Sequence, residues 1–173
     1  TESGLIIYDT KSKNYTNFKK NYNDPYSLTD NALYTMTTDK EGGTWIGSYF
    51  GGVNYLPKEF TPFKKYFPKE GENSINGNAV REIHQDKNGD YWIGTEDAGL
   101  NKLNAKTGQF QNFTPKNSNI AHYNIHGILP LENELWVGTF EHGLDVFNIN
   151  TNKIIRHYEQ VEDNPYSLGN NFI

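Results

Sequence analysis

Three tripeptides carry the side chains best suited to recognition chemistry: Tyr49-Phe50-Gly51, Glu96-Asp97-Ala98 and Phe140-Glu141-His142. Each stands between an apolar segment ending in Gly-Ser or Gly-Thr and a second segment opening on glycine. Together they mix aromatic rings with carboxylates. Sugars favour that mixture, because a ring can stack on the sugar face while carboxylates accept from its hydroxyls. The three also differ from one another, as a recognition surface does and a structural turn need not. The plainer alternative is three solvated turns, one of which packs its ring on a neighbour. Candidate ligand-binding residues are therefore Tyr49, Phe50, Glu96, Asp97, Phe140, Glu141 and His142. Arg81 joins them as a clamp for an acidic sugar. With Tyr34 and His126 it occupies equivalent segments expected to face a central channel; the alternative for Arg81 is a salt-bridged or hydrated channel residue.

Other chemistries fail on spacing. His122 and His126 are four apart, which suits a metal on a helix, but here they fall on a loop and a strand. Asp86-Lys87-Asn88-Gly89-Asp90 resembles the start of a calcium loop, yet the sixth position is Tyr91 instead of glycine, and a hairpin accounts for it. No Ser, His and Asp set is brought together by spacing. The expectation is no catalytic residue, no metal and no cofactor. The sequons Asn14-Tyr15-Thr16 and Asn112-Phe113-Thr114 matter only in a secreted eukaryotic protein.

Composition narrows the class further. The chain has 173 residues, 16 Lys+Arg against 21 Asp+Glu, a formal charge of -5 and no cysteine. Without cysteine there is no disulfide scaffold, thiolate metal site or Cys nucleophile. Negative charge without a basic stripe argues against a nucleic-acid partner. No run approaches the roughly 20 apolar residues of a membrane-spanning helix, and there is no N-terminal signal pattern. Mean hydropathy is -0.80, yet 14% of residues are aromatic, which disordered chains are not.

What must position the tripeptides is a repeat. All three tryptophans share one frame: Trp45-Ile46-Gly47-Ser48, Trp92-Ile93-Gly94-Thr95 and Trp136-Val137-Gly138-Thr139, spaced 47 and 44 apart. Each is followed by a second marker, Gly52-Val53-Asn54, Gly99-Leu100-Asn101 or Gly143-Leu144-Asp145, and Gly4-Leu5-Ile6 is a fourth copy without its Trp. Ring or aliphatic pairs recur at Tyr15/Phe18, Phe63/Tyr66, Phe110/Phe113 and Ile155/Tyr158. Asn23-Asp24-Pro25-Tyr26-Ser27-Leu28 returns as Asp163-Asn164-Pro165-Tyr166-Ser167-Leu168, 140 residues on.

One repeat holds four short segments, at 91–95, 99–104, 109–114 and 124–129, joined by turn residues. None is long enough at a 3.6 period for a convincing helix. Trp-Ile neighbours point to opposite faces of a strand, so both faces are buried. The ring pair three apart departs from alternation, and a bulge or bent outer strand would explain it. Asp39 to Gly43 and Asp86 to Asp90 form hairpins; the third copy, Leu131-Glu132-Asn133-Glu134, lacks glycine and is shorter. Four strands at this period match a β-propeller blade.

The expected fold is all-β, an arc of a β-propeller built from four-stranded antiparallel blades. Its units are 1–22, 31–68, 78–115, 123–160 and the start of another at 170–173, about three and a half blades. Strands are lettered A to D outward, and the D–A and B–C loops share one face. A chain beginning and ending inside a blade reads as part of a longer one, closing on its remaining blades or on a second copy.

The pattern from Ile83-His84-Gln85-Asp86 through Tyr91-Trp92-Ile93-Gly94-Thr95 to Gly99-Leu100-Asn101-Lys102-Leu103-Asn104, with its ring pair and Asn-x-x-Ser-Leu turn, resembles the two-component regulator propeller repeat. Departures are mild: Ser48 for Thr, Val53 for Leu, and the missing third hairpin glycine. The resemblance implies the extracytoplasmic half of a hybrid sensor kinase, built of two seven-bladed propellers. An immunoglobulin-like domain, a membrane helix and a histidine kinase would follow. It implies a periplasmic, non-catalytic sensor segment with an oligosaccharide ligand, held to the membrane only through other parts of the parent chain. The alternatives are a protein-interaction scaffold and a glycan-processing propeller enzyme. Asp39 to Trp45 is also similar to the Asp-box of sialidase propellers, but its spacing of six is one too long, so it reads as structural.

Overall fold

The computed structural model describes residues 2–59 and 63–173. They fall into two compact units, Thr1–Lys64 and Lys65–Ile173. The first holds a two-stranded sheet, β1 (Leu5–Tyr8) with β2 (Tyr15–Phe18), and a three-stranded sheet of β3 (Leu33–Thr38), β4 (Thr44–Ser48) and β5 (Val53–Leu56). The second holds β6 (Val80–Gln85), β7 (Tyr91–Thr95), β8 (Leu100–Leu103) and β9 (Phe110–Phe113). It continues through α1 (Pro115–Ser118) to β10 (Ile125–Leu131), β11 (Glu134–Thr139), β12 (Leu144–Asn148) and β13 (Lys153–Tyr158). Within every sheet each strand pairs antiparallel with the next in sequence. That up-and-down meander is a propeller blade, so the expected all-β class holds. Among the described residues no helix is long and apolar enough to cross a membrane.

Turn chemistry sets the first hairpin of each blade. In the β6–β7 hairpin the Asp86 N–H donates to the Asp90 carbonyl at 2.9 Å. Gly89 supplies the left-handed φ of 86° that a side chain would resist. The Asp86 carboxylate accepts from the backbone of Asn88 and Asp90, and its Oδ2 accepts the Trp92 indole N–H at 2.8 Å. Asp39 holds Trp45 in the same way at 2.9 Å. The third blade lacks this aspartate, and Glu134 accepts from Trp136 instead at 3.1 Å, from two residues away.

Side-chain alternation along β7 builds a two-faced core. Trp92 packs with Leu100 and Phe113 against Ile125, Leu135, Val137 and Phe147 of the next sheet. Ile93 packs on the opposite side with Ile75, Leu103 and Phe110. Of the bulge or bend offered for the outer strand, no bulge occurs in β9, which pairs with β8 without a slip. An odd separation simply sends Phe110 and Phe113 to opposite faces, and each face has a core to fill. A bulge does occur in β13, where Val146 faces Arg156 and Phe147 faces Ile154, leaving Ile155 as the extra residue.

The sheets approach closely because Trp-x-Gly ends in glycine. A Cβ on Gly94 would lie 2.7 Å from Ile125 Cγ2 and 3.1 Å from Ile128 Cδ1, both side chains buried. Gly127, also in a strand of this unit, has nothing within 4 Å of such a Cβ. Gly94→Ala is therefore expected to cost about 1–3 kcal/mol by overpacking. Gly127→Ala is expected to be neutral or stabilising by about 0.5 kcal/mol. Denaturant midpoints of the two variants test this; equal midpoints would contradict it.

Two expectations need correction. The unit at 31–68 has three strands among the described residues, not four. Phe63 is 78% exposed and outside any strand, and the Tyr66 ring packs edge-on against Phe110 at 5.5 Å. Residues 60–62 of that expected strand lie outside the described residues. One helical turn, α1, was also not expected; Pro115 opens it, Asn117 Oδ1 accepts the Thr114 N–H, and Asn119 at φ 59° ends it. Four residues are too few to show a helical period.

Candidate recognition face

Each A strand carries one extra residue at the same place. The pairing slips between Leu33 and Thr35, between Val80 and Glu82, and between Ile125 and Gly127. The residues inside the slips are Tyr34, Arg81 and His126. A bulge re-aims the side chain it carries, and all three meet the first residue of their own blade's B–C loop. Tyr34 lies 5.0 Å from the Tyr49 ring. Arg81 Nη1 donates to Glu96 Oε1 at 2.7 Å. His126 meets Phe140 edge to face at 5.4 Å. One backbone bond repeats beside each pair: Tyr49 to the Ala32 carbonyl, Glu96 to that of Ala79, and Phe140 to that of Asn124. The D–A and B–C loops thus share a face within each blade, as the meander requires.

The loops differ in what they leave available. In the first, Tyr49 and Phe50 pack at 4.1 Å and Phe50 is 84% exposed. The Phe50 N–H donates to Asp30 Oδ2 at 3.0 Å. That bond first, with the Ala32 N–H, holds the Asp30 carboxyl below the usual range. Tyr34 also lines an apolar cavity of about 320 Å³ with Leu5, Ile6, Met36 and Ile46.

In the second loop the charges are already engaged. Asp97 accepts from the backbone of Asn78 at 3.0 Å and Ala79 at 3.4 Å, which orders the preceding D–A turn. Glu96 faces Arg81 in a largely exposed ion pair, of a kind worth about 0–1 kcal/mol. Arg81 therefore meets a carboxylate of its own chain before any acidic ligand.

The third loop builds a cluster of five rings. Phe140 packs against His126 and, at 5.2 Å, Phe172; His126 meets Phe172 at 4.8 Å. His122 stacks on His142 with centroids 4.5 Å apart and planes at 14°, and lies 6.2 Å from Phe140. Burial first, and the neighbouring His142, hold His122 below the usual histidine range. Glu141 sits at φ 58°, in the tight loop that turns His142 back over His122. The sequence pairs His122 with His126 by spacing, whereas its ring partner is His142, across the loops. Phe172 stands in the segment 170–173 expected to start a further blade, and spacing does not mark it as part of this face; a D–A segment facing the preceding B–C loop is the signal that finds it.

A further cluster lies behind this face. Buried Asp145 accepts the Ala121 N–H at 2.7 Å and meets His157 Nδ1 at 2.7 Å. It thereby ties the outer strand β13 to the loop that carries His122.

Residues 74–97 match the family described as two component regulator propeller. Histidine kinase P4 of Formosa agariphila is 33% identical over 69 residues, which is 38% of this chain and 5% of that protein. Among solved structures, the extracellular domain of a putative hybrid two component system from B. thetaiotaomicron aligns at 19% identity and a TM-score of 0.49, over 94% of this chain and 22% of that one. A second such domain from B. thetaiotaomicron aligns at 21% identity and a TM-score of 0.46, over 91% of this chain and 22% of the other. The chain thus spans 5% of that histidine kinase and 22% of each of these two solved chains.

Proposed function

We propose that this chain, whose residues 74–97 are a two-component regulator propeller repeat, is a non-catalytic sensor segment of a hybrid two-component receptor. It lies on the extracytoplasmic side and contributes to recognising a glycan or glycan fragment, and to passing that event to a histidine kinase. The observation that carries this reading is that B–C loop residues meet partners at the same end of their own blade: Tyr49 meets Tyr34 and Phe50 meets Asp30 in one, His142 meets His122 and Phe140 meets Phe172 in another. Tyr49 and Phe50 are exposed and Phe140 half-buried, and rings over fixed backbone suit the faces of sugar rings. The carboxylates support recognition over turnover: Asp97 is occupied by backbone N–H groups and Glu96 by Arg81. An acid–base pair for glycan cleavage needs two carboxyl groups free to exchange protons.

Calorimetry of the chain against a panel of oligosaccharides tests the proposal. At least one is expected to bind, and Phe140→Ala or Tyr49→Ala to weaken that binding tenfold or more. No binding across the panel, together with a stable protein partner in pull-down, would favour an interaction scaffold. The exposed Tyr26 and Tyr166 of the repeated D–A turns give that second reading its surface.

A further inference from the structure

The hydrogen bonds of the stacked imidazoles fix which nitrogen of each carries a proton. The Asn124 N–H donates to His122 Nδ1 at 3.1 Å. That nitrogen must offer a lone pair, so the proton of neutral His122 sits on Nε2. His142 Nδ1 lies 2.9 Å from the Phe140 carbonyl oxygen, which can only accept. His142 Nδ1 therefore carries the proton, and its Nε2 is bare when the ring is neutral. Neither Nε2 has a hydrogen-bond partner among the described residues. Two parallel rings 4.5 Å apart thus offer one donor and one acceptor, beside the Phe140 ring.

A hydroxyl both donates and accepts, so two neighbouring hydroxyls match this arrangement and a carboxylate or phosphate does not. Resting on the sensor reading above, we propose that His122 and His142 form a donor–acceptor pair that reads adjacent hydroxyls of an uncharged saccharide and releases it on acidification. Protonating His142 converts its acceptor to a donor, so the ordered chain from the His122 N–H through two neighbouring hydroxyls to His142 Nε2 is broken, because both ends then donate. Protonating His122 removes the bond from Asn124 and places a charge against the partner ring. The other titratable groups facing the pair are Glu141 on the B–C loop and His126 on β10. At His122, Glu141 favours protonation, while His142 and then His126 oppose it. In this geometry burial first, and then His142, hold His122 below the usual histidine range. A ring kept neutral in the fold stabilises it above the unfolded value of about 6.5, and that contribution is lost as pH falls below it.

The experiment uses the full chain with cellobiose, xylobiose and mannobiose as uncharged probes and digalacturonate as an acidic one, by calorimetry at pH 7.5 and 5.0. An uncharged probe is expected to bind at pH 7.5 and to weaken at least tenfold at pH 5.0. His142→Phe keeps the stack but not the acceptor, and is expected to weaken binding at pH 7.5 and flatten the pH response. Nitrogen-15 spectra of the histidines, which need no ligand, are expected to place the neutral proton on Nε2 of His122 and Nδ1 of His142. The opposite tautomers, pH-independent binding, preference for digalacturonate at pH 7.5, or indifference to His142→Phe would each overturn this proposal and leave the sensor reading standing. Absence of binding to every probe at both pH values would overturn this proposal, and the wider oligosaccharide panel with the pull-down then decides the sensor reading.

Discussion

Replacing Trp92 with alanine is expected to cost about 3–5 kcal/mol, the range for a buried Trp truncated in a close-packed core. Trp92 is 0% exposed and stands where two sheets meet: Phe113 of its own sheet stacks on it at 5.7 Å, and Phe147 of the next approaches edge-on at 5.3 Å. Truncation also leaves Asp86 Oδ2 without the indole N–H it accepts, and that carboxylate organises the β6–β7 hairpin. A loss of this size is a large part of the roughly 5–15 kcal/mol that holds a typical domain. Trp45 occupies the identical frame but is 45% exposed, with Tyr55 at 4.7 Å as its ring partner. Trp45→Ala is expected to cost about 1–2 kcal/mol, in proportion to the smaller area removed from water. Denaturant titrations followed by far-ultraviolet circular dichroism compare them directly. Equal midpoint shifts would mean that the repeat frame, and not the packing between sheets, sets what a tryptophan contributes.

The same contrast shows what could be read from the amino-acid order. Local pairing was legible: β7 spans Tyr91–Thr95 as its apolar run requires, and Asp39 and Asp86 open hairpins closed by glycines at positive φ. Trp92 and Ile93 divide between two core faces. These features depend on side-chain period and turn chemistry within a few residues. The neighbour each face meets was not legible, because it depends on segments far apart in the chain. Three tryptophans in one frame therefore differ in burial, and Tyr66 leaves its expected strand for Phe110. At the recognition face, spacing located the B–C loops but not their partners. Arg81 is engaged from its strand by Glu96 of the loop, and His122 by His142 across the gap between two loops. A one-residue bulge re-aims Tyr34, Arg81 and His126 toward those loops, and alternation alone does not mark where a strand slips.

Asn101→Leu is expected to destabilise the second unit by about 3–5 kcal/mol although it keeps the same branched skeleton and opens no cavity, because it strands buried polar groups at about 1–3 kcal/mol each. Asn101 is 0% exposed. Its Oδ1 accepts from the Asn76 N–H at 2.8 Å and from Asn112 Nδ2 at 2.7 Å, while its Nδ2 donates to the Asn76 carbonyl at 3.2 Å. The third residue of the Gly-Leu-Asn marker does equivalent work elsewhere. Asn54 Oδ1 accepts the Thr29 N–H at 3.0 Å, and Asp145 Oδ2 accepts that of Ala121 at 2.7 Å. In each case a side chain from the C strand holds the D–A connection, so the marker is a tether from the sheet to the recognition face. Leucine cuts that tether without opening a cavity. Asn101→Asp retains the acceptor that Asp145 uses and is expected to cost about half as much. The loss should also be local. Amide exchange is expected to quicken at Asn76, and then at Asn78 and Ala79, whose N–H groups Asp97 holds from the neighbouring loop. A near-neutral Asn101→Leu, or unchanged exchange at these three amides, would show that the turn stands without its tether. Quickened exchange there with β6–β9 intact would place the order of the recognition face in one buried amide.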